Sequence, residues 1–237
     1  YPAIIFDQER EAGDQILNIE NLSASIDGVP LFKEVHLNLA KGDKVIVYAK
    51  DTRALSAFYE ILMGERKADT GSFDWGITTS QAYLPVDHDH FFENPMSLVD
   101  WLRQYAKTDE EREEVFLRGF LGKMLFSGEE ALKKSNVLSG GEKVRCMLSK
   151  MMMERANVLL LEEPTNHLDL ESITAFNNSL NNFKGTLLCS TSDHAFAQTL
   201  GTRIVELTPK GIIDRHSSFD EYMTDPKIKE LREKMLG

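Results

Sequence analysis

The chain has little that would staple or anchor it. Only two of its 237 residues are cysteine, and Cys146 and Cys189 lie far apart, in helix-like and strand-like segments. That excludes a disulfide-built scaffold and points to buried free thiols in a reducing compartment. No apolar run approaches the ~20 residues that span a bilayer, and no signal-peptide pattern opens the sequence. Internal repeats, low-complexity tracts and Lys/Arg runs are all missing. With 27 basic against 38 acidic residues the net charge is −11. The surface as a whole therefore repels bare nucleic acid and anionic lipid, and carries no direct nucleic-acid signature. A cytoplasmic location without membrane contact is the expectation. The chain opens on Tyr1 rather than Met, which reads as a piece of something longer.

What is present suits one large domain or two small ones. The hydrophobic fraction, 42%, is ordinary for a globular protein. Tyr1 to Gly13 is polar and irregular and reads, up to residue 14, as the end of a linker. Gln15 to Asn21 alternates apolar and polar residues, Asp27-Gly28 marks a turn, and Leu31 to Leu39 resumes the alternation. Val45 to Tyr48 is a short buried strand, followed by a polar loop and a helix with Leu55, Phe58, Tyr59 and Leu62 on one face, stopping at Gly64. Gly71 to Trp75 and Ala82 to Leu84 are further strand candidates.

From Met96 to about Ser135 the character turns helical and charged, with Thr108 to Glu114 read as a capped helix start with a solvated face. Asp87-His88-Asp89-His90 has the donors of a metal site, but its place in a loop after a strand favours plain solvation. Val144, Met147, Leu148 and Met151 fall on one helix side, a core stripe. Val158–Leu161, Thr186–Ser190 and Arg203–Leu207 are strands, the first two separated by a helix after Asp169, and that alternation points to parallel β-α-β units. Two capped helices close the chain, opening at Ser218 and at Asp225-Pro226.

Two stretches carry chemistry. In Leu138-Ser139-Gly140-Gly141-Glu142 the S-x-x-E spacing is that of a capping box, and two glycines in the first turn leave the backbone open to a ligand. Unpaired N–H groups and the positive end of the helix dipole suit a phosphate there. The second is Val158-Leu-Leu-Leu161-Glu162-Glu163, an apolar strand ending in two carboxylates, followed by Pro164-Thr-Asn-His-Leu-Asp169. Together they resemble the LSGG signature and the Walker B strand of the ATP-binding cassette (ABC) ATPases. EPTNHLD and the linker-like start look most like the ABC-F subgroup, and specifically like the C-terminal of its two ABC domains.

The resemblance implies an α/β fold: a P-loop NTPase-like core with a parallel sheet, an antiparallel β subdomain and a helical subdomain carrying the signature. Residues 15–237 would form one ABC domain, with the helical subdomain at about 93–145. It implies ATP and Mg²⁺ as ligands. Glu163 would polarise the attacking water, and Ser56 and Glu162 would hold the metal. The family normally has Asp at position 162, and the extra methylene puts metal geometry in question. Asp169 would close the D-loop.

The phosphate loop departs from the family pattern. Where G-x-x-x-x-G-K-[ST] is required, the chain reads Ala49-Lys50-Asp51-Thr52-Arg53-Ala54-Leu55-Ser56, keeping only Ser56. Leu55 replaces the lysine, and Ala49, Thr52 and Ala54 replace glycines of a loop that relies on φ > 0 and close backbone approach. Asp51 adds a negative charge beside the phosphates. Lys50 and Arg53 are candidates for binding phosphate in a non-standard way. Elsewhere in the same site, Ile26 stands where an aromatic stacks on adenine, Val86 at the Q-loop glutamine position, and Ser192 at the switch-histidine position. His194, two residues on, reads as an ordinary surface histidine.

In the family two ABC domains clamp two ATP molecules, each between the Walker motifs of one domain and the signature of the other. Here the altered residues belong to the chain's own site, while Ser139-Gly140-Gly141-Glu142 and Asp169 act across the interface. The resulting expectation is a domain with a degenerate site of its own that completes the ATP site of a partner ABC domain. Ribosome contact would run through the inter-domain linker. Three alternatives stay open: an active ATPase with an unorthodox phosphate loop, the ATP-binding subunit of a membrane transporter, and a non-enzymatic module on an ABC scaffold.

Overall fold

A strand that is apolar on both faces needs cover on both faces, and the arrangement of the chain follows from that need. The computed structural model describes residues 1–237. The first half holds β1 (Gln15–Ile26), β2 (Val29–Ala40), β3 (Lys44–Ala49), α1 (Thr52–Leu62), β4 (Thr70–Trp75), β5 (Gln81–Leu84), α2 (Leu98–Arg103) and α3 (Glu114–Lys123). The second half holds α4 (Gly140–Glu154), β6 (Val158–Glu162), α5 (Leu170–Asn182), β7 (Thr186–Ser190) and α6 (His194–Leu200). It ends with β8 (Arg203–Thr208), β9 (Gly211–Arg215), α7 (Phe219–Thr224) and α8 (Pro226–Leu236).

A six-stranded sheet runs in the order β5-β6-β7-β3-β8-β9. Its pairs are parallel apart from β8–β9. A second, antiparallel sheet has the order β2-β1-β4. Its hairpin turns at Asp27 and Gly28, both at positive φ (50° and 78°), as a two-residue connection between right-twisted strands requires. The expected α/β fold, with a parallel sheet and an antiparallel β subdomain, is therefore present.

Side-chain alternation divides the interior in two. Val158 and Leu160 of β6, Leu188 of β7, and Val45 and Val47 of β3 face a core shared with α1 and the antiparallel sheet. Leu159, Leu161, Leu187, Cys189 and Ile46 face the opposite core, with α4, α5 and the helical region. The period of two puts Glu162 on the same face as Val158 and Leu160, the face that α1 covers. That parity decides which residues Glu162 meets.

The helical region carries α2, α3, two 3-10 turns and the start of α4. The Thr108–Glu114 expectation needs correction. Residues 108–112 form a turn in which the Thr108 hydroxyl accepts from the Glu111 amide at 3.1 Å. Helix α3 begins only at Glu114, after Glu113, with no side-chain cap. A Thr side chain that bonds its own local backbone competes with the helix rather than starting it. Residues 1–14 are irregular as expected, but they are tied to the domain. Ile4, Phe6 and Ala12 are buried, the Phe6 ring packs edge-on against Phe176 and Phe183, and Ala3 N donates to Lys123 O at 2.7 Å. Both cysteines are buried and free, and burial pushes their thiols up.

The C-terminal helix is held by one buried charge. Glu206 of β8 has no solvent exposure. It accepts from Tyr222 Oη at 2.5 Å and from Arg232 Nε and Nη2 at 2.6 and 3.2 Å, while the guanidinium lies over the Tyr48 ring. Removing one partner of a buried ion pair leaves the other charge desolvated and uncompensated. Arg232→Met should therefore cost about 3 kcal/mol, read as a lowered urea midpoint; an unchanged midpoint would show that α8 is held by its apolar contacts alone.

Candidate functional site

In an open α/β sheet, ligands bind beyond the carboxyl ends of the strands. Here a cavity of about 450 Å³ opens there, lined by Ser56, Val86, Glu162, Glu163, Ser190 and Ser192, with Ile26, Thr52, Arg53, Leu55, Arg66 and Asn166 around them. The structure thus brings most of the sequence-predicted Walker, Q-loop and switch positions together. Lys50 is not among them; it lines a neighbouring cavity with Leu31, Leu207, Pro209 and Leu236.

The phosphate-loop segment adopts a different shape from a cradle. Strand β3 runs to Ala49 and helix α1 begins at Thr52, so only Lys50 and Asp51 lie between. None of residues 49–56 has positive φ. Alanines at the glycine positions avoid the left-handed region, and the backbone winds into helix at Thr52, directly after Asp51. Asp51 is the N-cap of that helix, accepting from Arg53 N at 3.1 Å. Arg53 closes on the same carboxylate, with Nε to Oδ1 at 3.0 Å and Nη2 to Oδ2 at 2.7 Å. The bond to Arg53 lowers the Asp51 pKa. The positive end of α1, where a phosphate would lie, thus already holds an anion from the chain itself. Ala54 and Leu55 are buried.

Both Walker B carboxylates are also engaged within the chain. Glu162 is 4% exposed; its Oε2 accepts from Ser56 Oγ and its Oε1 from Tyr83 Oη, each at 2.6 Å. Glu163 sits at φ 48°, and its Oε2 accepts from the Ser192 amide at 3.0 Å and from Ser192 Oγ at 3.1 Å. The switch position therefore holds Glu163 with a hydroxyl and an amide. Val86 contributes an exposed apolar side chain. His194 is exposed, as expected.

A bound Mg²⁺ needs near-octahedral oxygens and usually retains several waters. Ser56 and Glu162 face each other with no gap for an ion. Tyr83 takes the second carboxylate oxygen, and no group of three or more His, Cys, Asp or Glu side chains is placed to hold a metal. The residues do not fit the metal site that the resemblance implied. The Asp87–His90 segment is not one either, though it is not simply solvated. Asp89 pairs with Lys143 at 2.9 Å, and His88 is buried with Nδ1 unpartnered.

The signature forms a separate place. Ser139 caps α4, and the capping box is complete: Glu142 N donates to Ser139 Oγ at 3.2 Å and Ser139 N to Glu142 Oε1 at 3.0 Å. Burial alone would push Glu142 up, but Lys133 and the Ser139 amide hold it below the usual range. First-turn amides of a helix have no intrahelical acceptor, so those of Gly140 and Gly141 remain available. A Cβ on Gly140 would lie 2.9 Å from the His167 ring, and one on Gly141 would lie 2.6 Å from His167 O. The signature and the D-loop are therefore packed into one surface. Asp169 ends that loop as N-cap of α5, accepting from Ser172 N at 2.8 Å, which lowers its pKa. No signature residue lines the cavity that holds Glu162 and Glu163.

Tyr83 and Ser190 were missed as site residues by the sequence reading. The available signal was a tyrosine on a buried strand, whose hydroxyl needs a polar partner.

The site and fold define an ATP-binding-cassette type of domain. The family model described as "ABC transporter" matches residues 33–166, and the chain belongs to that family. It is 52% identical over 231 residues to YkpA of Bacillus subtilis, an uncharacterized ABC transporter ATP-binding protein, covering 97% of this chain and 42% of that one. It is 35% identical to YbiT of Escherichia coli O157:H7, named as an ATP-binding protein, covering 96% and 43%. The energy-dependent translational throttle protein EttA of Haemophilus influenzae is 26% identical, at 95% and 40%. The chain thus spans less than half the length of these relatives. Among solved structures, a dimeric ATP-binding cassette in a post-hydrolysis state bound to ADP and Pi matches with TM-score 0.67 at 18% identity, covering 85% of this chain and 98% of that one. No helix is long and apolar enough to cross a membrane.

Burial pushes the Glu162 carboxyl above the usual range, against the opposing pull of Ser56, Tyr83 and the Val86 amide. An acid with a raised folded-state pKa contributes its stability below the unfolded value, near 4.5, and loses it as pH rises through the folded value. Glu162→Gln should accordingly flatten this pH dependence, while losing one of the two hydroxyl bonds because an amide NH₂ cannot accept. Urea unfolding at neutral and acid pH checks this; a pH dependence unchanged in the variant would show that Glu162 is not its source.

Proposed function

We propose that this chain is one ABC domain of a two-domain ABC-F protein, and the complementary half of an asymmetric pair. Its signature completes the ATP site of the partner ABC domain, while its own site binds ATP weakly or not at all. ATP and Mg²⁺ then belong mainly to the composite site, where the partner supplies the phosphate loop. The single observation that carries the reading is the contrast between the two places. Asp51, Glu162 and Glu163 are each bonded to donors of the chain's own, whereas Ser139, Gly140 and Gly141 present the start of α4 beside His167.

The ABC-F assignment rests on EPTNHLD, on the relatives more than twice as long as this chain, and on the name of EttA, which ties that protein to translation. On this reading the cellular role is ribosome-associated and the linker between the domains makes the contact.

Calorimetry of the chain with Mg-ATP should show weak binding or none; sub-millimolar affinity or steady turnover would sink the proposal. In the full-length protein, Ser139→Ala should lower turnover on the order of a hundredfold, as loss of a transition-state donor does. Glu163→Gln would cost about 10²- to 10⁴-fold if Glu163 were the working base, and is expected to cost far less. The opposite order would move the chemistry to this domain's own site.

A further inference from the structure

The cavity at the end of β6 carries a second inference, about what Glu162 does there. It rests on the reading of a degenerate site, and concerns the metal rather than the nucleotide. We propose that Ser56, Glu162 and Tyr83 form a fixed hydrogen-bond lock joining α1, β6 and β5, and that this cavity binds its ligands without a divalent cation.

Four observations support the lock. First, the carboxylate has a donor on each oxygen, both at 2.6 Å and from different elements. A Ser–carboxylate bond alone would leave one oxygen free for a metal-bound water; Tyr83 takes that oxygen. Second, Tyr83 cannot swing aside freely. Its ring stacks on Tyr59 with centroids 5.8 Å apart and planes 24° apart. Tyr59 is fully buried and its hydroxyl lies 2.8 Å from Ser190 Oγ. Ser190 Oγ donates to Val47 O at 2.7 Å, so the proton shared with Tyr59 comes from the phenol. The donor on Glu162 is thus anchored through a chain of side chains to β7 and β3.

Third, β5 lies beside β6 in parallel register with Tyr83 opposite Leu160, which sets the phenol within reach of Glu162 two residues on. Fourth, the other acids nearby are committed: Glu163 to Ser192, and Asp51 to Arg53. A hydrogen-bonded bridge from Ser56 through Glu162 to Tyr83 then fills the place that a hard cation with its waters would need.

The test uses Mn²⁺ as a spectroscopic stand-in for Mg²⁺, added to this chain without nucleotide and followed by electron paramagnetic resonance. No saturable site is expected, and the unfolding temperature should be the same in excess MgCl₂ and in excess EDTA. Tyr83→Phe should lower the unfolding temperature equally in both buffers, because the lost bond is structural. A single saturable Mn²⁺ site that disappears in Glu162→Gln would overturn the proposal, as would an unfolding temperature that rises with Mg²⁺ in the parent and not in Glu162→Gln. A fluorescent ATP analogue separates this from the reading of a weak site. Tight binding that is equal in Mg²⁺ and EDTA would defeat that reading and support the lock. Tight binding that requires Mg²⁺ and is lost in Glu162→Gln would defeat both.

Discussion

Desolvation at the end of β6 governs how this domain is put together. The strand is buried on both faces, so the residue that ends it inherits an environment in which an unpaired carboxylate is costly. Side-chain parity turns Glu162 toward α1 and the antiparallel sheet rather than toward the helical region. On that side the hydroxyl donors are Ser56 and Tyr83, and both are used. The position of α1 against the sheet, the approach of β5 along β6, and the stack of Tyr59 on Tyr83 are all consistent with one requirement: two hydroxyls must reach one carboxylate.

The same economy applies to the start of α1. A phosphate loop keeps its helix N-terminus empty by wrapping backbone around a missing anion, and it needs glycines to do so. Ala49 and Ala54 make that wrapping unfavourable. The segment settles into ordinary helix instead, and Asp51 supplies the anion that the helix dipole favours. Arg53 then pairs with Asp51 instead of standing free. One set of substitutions thus changes loop shape, charge and ligand access together. The reason is local: a capping carboxylate and an arginine two residues on satisfy each other.

Much of this was legible beforehand. The parallel sheet could be read from runs such as Val158–Leu161, because only a covered strand tolerates such a run. The capping box at Ser139 and Glu142 could be read from spacing alone, because it is a local device. Strand β9 was not seen, since Gly211–Arg215 is short and gains its partner only from β8. The late start of α3 was missed because Thr108 looks the same in sequence whether it caps a helix or closes a turn. The donors on Glu162 come from residues 79 and 106 positions away; no spacing rule reaches that far. Burial of Phe6 was hidden in the same way, by its partners Phe176 and Phe183.

The glycines of the signature separate two arguments that the sequence alone runs together. Read locally, Gly140 and Gly141 suggest room for a ligand. In the fold, each is also needed so that the D-loop can lie against the helix, since a Cβ at either would collide with His167. Packing therefore accounts for both glycines whether or not a nucleotide arrives. The hydroxyl of Ser139 has a structural use too, as a cap worth about 1 kcal/mol. What packing does not account for is the direction in which these groups face. The helix start lies outside the cavity of its own Walker residues and shares its surface with the loop that ends at Asp169. The positive end of α4 has no carboxylate in front of its first amides comparable to Asp51 at α1, because Glu142 reaches back to the Ser139 amide instead. Two helix N-termini in one chain thus have opposite fates. One is closed by the chain's own carboxylate, and the other is held open by the arrangement of its capping box.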